Sequence, residues 1–291
     1  MLERLGESTW CIKGRTNIVF YVREDKTAYI VDSGRTPDDG IKVDEALDTM
    51  GWKLKGILCT HAHSDHCGAM HYLKDKYGCP VFCYGIECII LNNQEIESAL
   101  MYGAHPHEVL RKEEGFDMGS IECFDVGHEL FPEEVKVLHL PGHSMNQIGY
   151  EFPDGTICLA DAICGESVLR KYPFTYNHNF GQYLKTIESL RSLDGRWYVP
   201  SHGEIYEDIT ALIDETIEST YRMADLVLSF LDEPKNIEEI IKCLFDEFGM
   251  TMGYINYGIN IYVLRAFISW LKDEDRIDAV FKDNMLRWRR K

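Results

Sequence analysis

The segment Thr60-His61-Ala62-His63-Ser64-Asp65-His66 puts three imidazoles and one carboxylate into seven consecutive positions. Imidazole nitrogens and carboxylate oxygens are ordinary ligands of zinc and related cations. Alternate side chains of an extended stretch point the same way, so His61 and His63 can share one ion, while Asp65 and His66 on the following turn can reach a second. Packing does not explain so dense a cluster, because burying several polar rings without partners is costly. Further along, His143 follows Leu140-Pro141-Gly142, Asp161 follows residues 156–160, and His202 follows Val199-Pro200-Ser201. Each stands where a β-type run gives way to a loop, so one sheet edge can bring them together. Singly, His143 and His202 also fit ordinary loop residues, and Asp161 fits a helix cap.

The elements that must position these residues are readable from spacing. Runs at 9–12, 17–22 and 27–32 predict strands, the last two a hairpin across the polar turn 23–26. Ile41, Val43, Ala46, Leu47 and Met50, closed by Gly51, predict a helix over 38–50, and the apolar run 56–60 predicts a buried strand that delivers His61. Met70, Leu73 and Tyr77 fit a helix face and 80–85 a strand, while 87–119 reads as helical and irregular, with His105 and His107 in a lid or rim. Strands are expected at 121–126, 135–140, 148–152 and 156–160, the last pair joined through Pro153-Asp154-Gly155. Phe180, Tyr183, Leu184, Ile187 and Leu190 make an amphipathic helix before a strand at 197–200. From about residue 207 strand signals give way to helices at 209–231, 237–248 and 261–271, then a hairpin over 276–288. A boundary there separates residues 1–206 from residues 207–291, the second part being either a winged-helix-like module or a helical cap on the first domain's core.

Together, the H-x-H-x-D-H segment and the later His143, Asp161 and His202 resemble the metallo-β-lactamase superfamily of metal-dependent hydrolases, over a span from about Trp10 to Gly203. With its C-terminal module the chain is similar to the β-lactamase-like protein 2 and glyoxalase II groups of that superfamily. The resemblance implies an α/β fold, a four-layer αβ/βα sandwich with metals at one edge and a small C-terminal helical, winged-helix-like domain. Residue by residue, it makes His61, His63 and His143 ligands of one metal, and Asp65, His66 and His202 ligands of the other, with Asp161 bridging. Asp32, near the end of an early strand, is implied as support from behind the ligands. The implied cofactors are two zinc ions, with iron or manganese also accepted by such ligands. A hydroxide bridging the metals would attack, with Asp65 orienting it and accepting its proton. The expected activity is cleavage of an ester-like bond, a thioester or related, in a small metabolite. The alternatives are a metal-dependent ribonuclease on single-stranded RNA, a mono-iron sulfur dioxygenase, and a non-catalytic metal-binding regulatory protein. His63 stands where flavo-diiron oxidoreductases usually carry Glu, which favours the hydrolytic branch.

Composition narrows partners. The 291 residues carry 30 Lys and Arg against 48 Asp and Glu, a formal charge of −18, which repels phosphate backbones and anionic membranes. RNA is thereby disfavoured, with the basic end Arg287-Trp288-Arg289-Arg290-Lys291 as the one counter-feature. No run approaches the roughly 18 apolar residues of a membrane span. The start MLERLGESTW lacks a signal-peptide pattern, and the 10 cysteines are scattered without compact disulfide spacing. The expectation is a soluble, cytoplasmic protein with reduced thiols and a small-molecule substrate, a homo-oligomer being open. Cys59, Cys67 and Cys164, beside the ligands, read as space-filling thiols. Residues 170–178, with Arg170, Lys171, Tyr172, Phe174 and Tyr176, are either a pocket wall or an aromatic loop packed on the sheet. Of the 11 histidines, His71, His105, His107, His128, His139 and His178 take no part in the ligand set.

Overall fold

The apolar runs of the first half pair into a seven-stranded sheet in the computed structural model, which describes all residues except 94, 115–118 and 173. The strands lie side by side in chain order: β1 (Leu2–Arg4), β2 (Thr9–Ile12), β3 (Ile18–Val22), β4 (Thr27–Val31), β5 (Lys53–Leu58), β6 (Val81–Cys83) and β7 (Phe124–Asp125). The first four form an antiparallel meander, and β4 to β7 run parallel. A second sheet, ordered β11-β10-β9-β8, comprises β8 (Lys136–His139), β9 (Ile148–Glu151), β10 (Thr156–Ala160) and β11 (Trp197–Pro200).

Strands β3 and β4 are buried along nearly their whole length, so both faces of their sheet must be covered. Side chains alternate accordingly. Val19, Tyr21, Tyr29 and Val31 meet Ile148, Tyr150, Phe152 and Val199 of the second sheet, while Ile18, Phe20, Ala28 and Ile30 meet the helices outside. Those helices are α1 (Pro37–Met50), α2 (Ser64–Cys67), α3 (Met70–Tyr77) and α4 (Gly85–Asn92). In α1 the Thr36 backbone N–H donates to the Asp39 carboxylate at 3.1 Å, and Gly51 ends the helix at φ 65°. Its buried face is Val43, Ala46 and Leu47; Ile41 and Met50, read as core from their spacing, are exposed.

The irregular stretch expected over 87–119 becomes α4, α5 (Glu95–Tyr102) and α6 (Glu108–Glu114), with residues 94 and 115–118 outside the described residues. On the second sheet's outer face lie α7 (Glu166–Lys171), α8 (Phe180–Ser189), α9 (Thr210–Ser229), α10 (Ile237–Glu247) and α11 (Tyr254–Asp273), followed by the hairpin β12 (Ile277–Lys282) and β13 (Met285–Arg290). One buried cluster runs from Leu140, Ile157 and Leu159 of the sheet through Phe180 and Ile187 of α8 to Ile240, Leu264, Phe267 and Ile277. The core is therefore continuous across residue 207. Each fully buried side chain of this size contributes roughly 1.5–3 kcal/mol. Among the described residues no helix is long and apolar enough to cross a membrane.

Candidate metal centre

Four chain segments leave the same edge of the two sheets. After β5 the chain passes through Cys59 and Thr60 to His61, then reaches His63 immediately before α2, which carries Asp65 and His66. His143 follows β8, Asp161 follows β10, and His202 follows β11. Backbone features at these exits aim the side chains. Ala160 has φ 51°, a left-handed conformation costing a non-glycine residue about 1 kcal/mol or more, beside a register shift between β10 and β11. At Gly142, φ is 132° and a Cβ would stand 2.5 Å from Tyr183 Cα, so only glycine lets the His143 loop approach α8 this closely.

The structure brings all seven expected residues together. His61 Nε2 and His143 Nε2 each lie 3.0 Å from His63 Nδ1. The second group is looser: Asp65 Oδ2 is 3.2 Å and Asp65 Oδ1 3.7 Å from the Nε2 atoms of His202 and His66 respectively. Asp161 joins the two, with Oδ2 at 3.3 Å from His143 Nε2, 3.5 Å from His66 Nε2 and 3.3 Å from His202 Nε2. The sets His61/His63/His143, Asp65/His66/His202 and His61/His66/Asp161 each present donor atoms within 4.8 Å of one another.

Hydrogen bonds behind the rings fix which nitrogen faces inward. Thr60 Oγ1 donates to Asp32 Oδ2 at 2.9 Å, so it accepts from His61 Nδ1 at 3.0 Å and leaves His61 Nε2 as a lone pair. His66 Nδ1 donates to Asp32 Oδ2 at 2.8 Å, His143 Nδ1 to the Tyr176 carbonyl at 3.0 Å, and His202 Nδ1 to the Arg15 carbonyl. His63 Nδ1 has at most one proton to share between the two imidazole nitrogens 3.0 Å from it, and among the described residues His66 Nε2 and Asp161 Oδ1 are buried without a hydrogen-bond partner. A cation or a pair of cations would supply what this donor set lacks, and the mixture of imidazole and carboxylate fits zinc-type ions.

The two groups differ electrostatically. Burial pushes His63 down to about 4, His143 down to about 3 and His61 well below its ordinary value, so this trio stays neutral. Burial acts the same way on His66 and His202, but the Asp161 and Asp65 carboxylates outweigh it and drive both well above the usual range. In turn, His66 and His202 hold Asp65 and Asp161 well below the ordinary carboxylate value against the opposing effect of burial.

Several supporting residues carried no signal in the sequence. Glu87, 1% exposed, accepts from Ala62 N at 3.2 Å, Ser144 Oγ at 2.8 Å and Asn146 N at 2.9 Å, tying the His61–His63 loop to the His143 loop. Gln147 accepts from Asp161 N at 3.3 Å. Both read as ordinary polar residues until topology pairs them. Asp32, expected from the resemblance, is fully buried and accepts from Thr60 and His66.

The 170–178 segment divides. Tyr176 lies 5.0 Å and 5.2 Å, ring to ring, from His63 and His143. Arg170 and Lys171 are instead exposed on α7, where Arg170 pairs with Glu166 and lines a groove with Glu215 and Arg222 of α9. A salt-bridged, solvated guanidinium on a helix facing α9 is not a wall of the metal centre. Residue 173 lies outside the described residues. His107 packs against Tyr254 at the start of α11, and His105 hydrogen-bonds Arg111. Cys59 and Cys67 donate to the carbonyls of His61 and His63 at 3.1 Å, and burial raises Cys67 and Cys164 to about 12, leaving neutral thiols.

A family model described as Metallo-beta-lactamase superfamily matches residues 12–202. Curated relatives include a hydroxyacylglutathione hydrolase of Nitrobacter hamburgensis, 31% identical over 140 residues, which are 46% of this chain and 45% of that protein. Another of that name, from Dechloromonas aromatica, is 25% identical across 62% of this chain and 55% of its own length. The chain thus spans about half the length of the curated relatives it matches. Among solved structures, a metallo-beta-lactamase family protein from Thermus thermophilus superposes with a TM-score of 0.72 at 17% identity, covering 98% of this chain and 99% of that one. A beta-lactamase domain protein from Burkholderia ambifaria gives 0.72 at 14%, covering 100% and 93%. These two establish a shared fold.

Proposed function

The chain belongs to the metallo-beta-lactamase superfamily, and on that premise we propose that it is a binuclear metal-dependent hydrolase that cleaves an ester-like bond, a thioester or related, in a small metabolite. The observation that carries the reading is Asp161 Oδ2, which lies within 3.5 Å of imidazole nitrogens from both ligand groups and so can serve two cations at once. His61, His63 and His143 would hold one ion, Asp65, His66 and His202 the other, and zinc is the proposed metal. Bound divalent cations supply Lewis acidity toward the scissile carbonyl and lower the pKa of water toward neutrality. Asp65, one-third exposed and held ionised by His66 and His202, orients the attacking water through a carboxylate oxygen and receives its proton there. Tyr176 closes one side of the site over His63 and His143 and limits water access. No serine or cysteine nucleophile is required.

A thioester is favoured because the curated relatives are named as hydrolases of an acylglutathione. RNA is the less supported substrate. Against the charge of −18, the basic tail is partly neutralised, since Arg287 pairs with Glu239 at 2.7 Å and Lys291 with Asp275. A cytoplasmic setting is proposed from the ten free thiols. Turnover of a panel of S-acyl thioesters, lactones, phosphodiesters and unstructured RNA by the metal-loaded chain tests the proposal. Thioester cleavage supports it, whereas RNA cleavage without thioester turnover overturns it.

A further inference from the structure

His143 is gripped from both sides by residues of the 170–178 segment, more than 30 positions further along the chain. Its Nδ1 donates to the Tyr176 carbonyl at 3.0 Å, and its own carbonyl accepts from His178 N at 3.0 Å. Both of those residues are held by one side chain from far along the sequence, Tyr262 of α11. The Tyr262 ring stacks on Tyr176 with centroids 5.1 Å apart and planes 2° from parallel. The Tyr262 hydroxyl also hydrogen-bonds His178 Nδ1. Tyr176 in turn stands edge-on to His63 and His143, while Tyr262 and His178 line a groove of about 770 Å³ between α8 and α11. Apart from this chain of contacts, α11 is tied to the sheet through apolar side chains such as Leu264, Phe267 and Ile268.

We infer that Tyr262 is a positioning residue of the metal centre, through which the C-terminal helical region sets the orientation of His143 and the wall made by Tyr176. A parallel stack fixes the Tyr176 ring and backbone, and the bond to His178 fixes the other end of the loop. His143 Nε2 is thereby held on the line toward His63 Nδ1 and Asp161 Oδ2. The C-terminal region is then part of the site rather than a cover for apolar surface alone. The inference rests on the metal reading of the site.

The test titrates the metal-free full-length chain with Co(II) and with Zn(II), following the visible Co(II) spectrum and the heat of Zn(II) binding. Tyr262→Leu should weaken uptake by the His61/His63/His143 group about 10–100-fold and alter its Co(II) spectrum, with the other group changed less than about threefold. Tyr262→Phe, which keeps the stack and loses the hydroxyl, should fall between Tyr262→Leu and the parent. Ile268→Ala removes a buried side chain from the same helix and cluster, and it should lower thermal stability yet leave both affinities unchanged. Equal uptake by Tyr262→Leu and the parent overturns the inference alone, as does an equal loss in Ile268→Ala. A parent chain that binds no cation overturns the metal reading and this inference with it.

Discussion

The two halves of the candidate metal centre use similar side chains and hold them in opposite states. His61, His63 and His143 are neutral rings braced by hydroxyl, carbonyl and ring contacts, with Glu87 knitting their loops together. Asp65, His66 and His202 form a charged network in which imidazolium and carboxylate stabilise each other, with Asp32 behind His66. The difference teaches that burial alone does not determine a ligand's protonation. His61 and His66 are both fully buried, and the carboxylates near His66 reverse the direction of its shift. A cation entering the first half would meet ready lone pairs, whereas one entering the second would have to displace protons.

The largest expected effect comes from the residue shared by both halves. Asp161→Ala should reduce kcat/KM on a thioester by more than about 10²-fold and lower metal content, because support of both ions is lost at once. Near-parental turnover would mean that the halves act independently. Next in size is the pH response of cation uptake, measured by calorimetry in buffers of different ionisation enthalpy. His66 and His202 have raised pKa values, so they are protonated at neutral pH in the metal-free chain, binding there releases protons, and affinity rises with pH. The neutral half, with His63 near 4 and His143 near 3, should release few protons at pH 7 and stay nearly flat until strongly acid pH. Equal proton release from both halves would erase the contrast.

A smaller, selective pair of effects follows from the braces. Asp32→Asn should weaken the Asp65/His66/His202 half about 10–100-fold and, because Thr60 links Asp32 to His61, the other half by less, whereas Glu87→Gln, which cannot accept from all three of its donors, should weaken the His61/His63/His143 half alone. Competition with a chelator reads each affinity, and loss in the wrong half counts against the assignment. The smallest effect lies away from the centre. Arg23 donates to Glu134 at 2.6 and 2.8 Å, and this bonding with Arg23 holds the Glu134 carboxyl below its ordinary range. Its contribution is therefore present above the unfolded-state carboxyl pKa and is lost as pH falls through the depressed folded value. Glu134→Gln should cost roughly 0.5–1 kcal/mol in urea unfolding at pH 7, with metal uptake unchanged.

Much of this was legible in the sequence where the relevant contacts are local. The apolar run at residues 18–22 and the run ending at Thr60 specify strands, and strands ending at His139, Ala160 and Pro200 mark where His143, Asp161 and His202 emerge. What stayed hidden depends on contacts between distant segments. Glu87 sits on a helix start like any first-turn acid, and only the folded chain brings Ala62 and Ser144 to it. Tyr262 has the spacing of a core residue on α11, and its stack on Tyr176 spans 86 residues of sequence, counted as 262 less 176. Of the two readings open for residues 170–178, the pocket wall does not extend to Arg170, because a local partner, Glu166, one helical turn away, engages its guanidinium.

The central claim is that one edge of the sandwich holds two cations joined by Asp161. Elemental analysis of the chain purified without added metal tests it most directly. The account predicts two zinc ions per chain, and a single iron or no bound metal would contradict it.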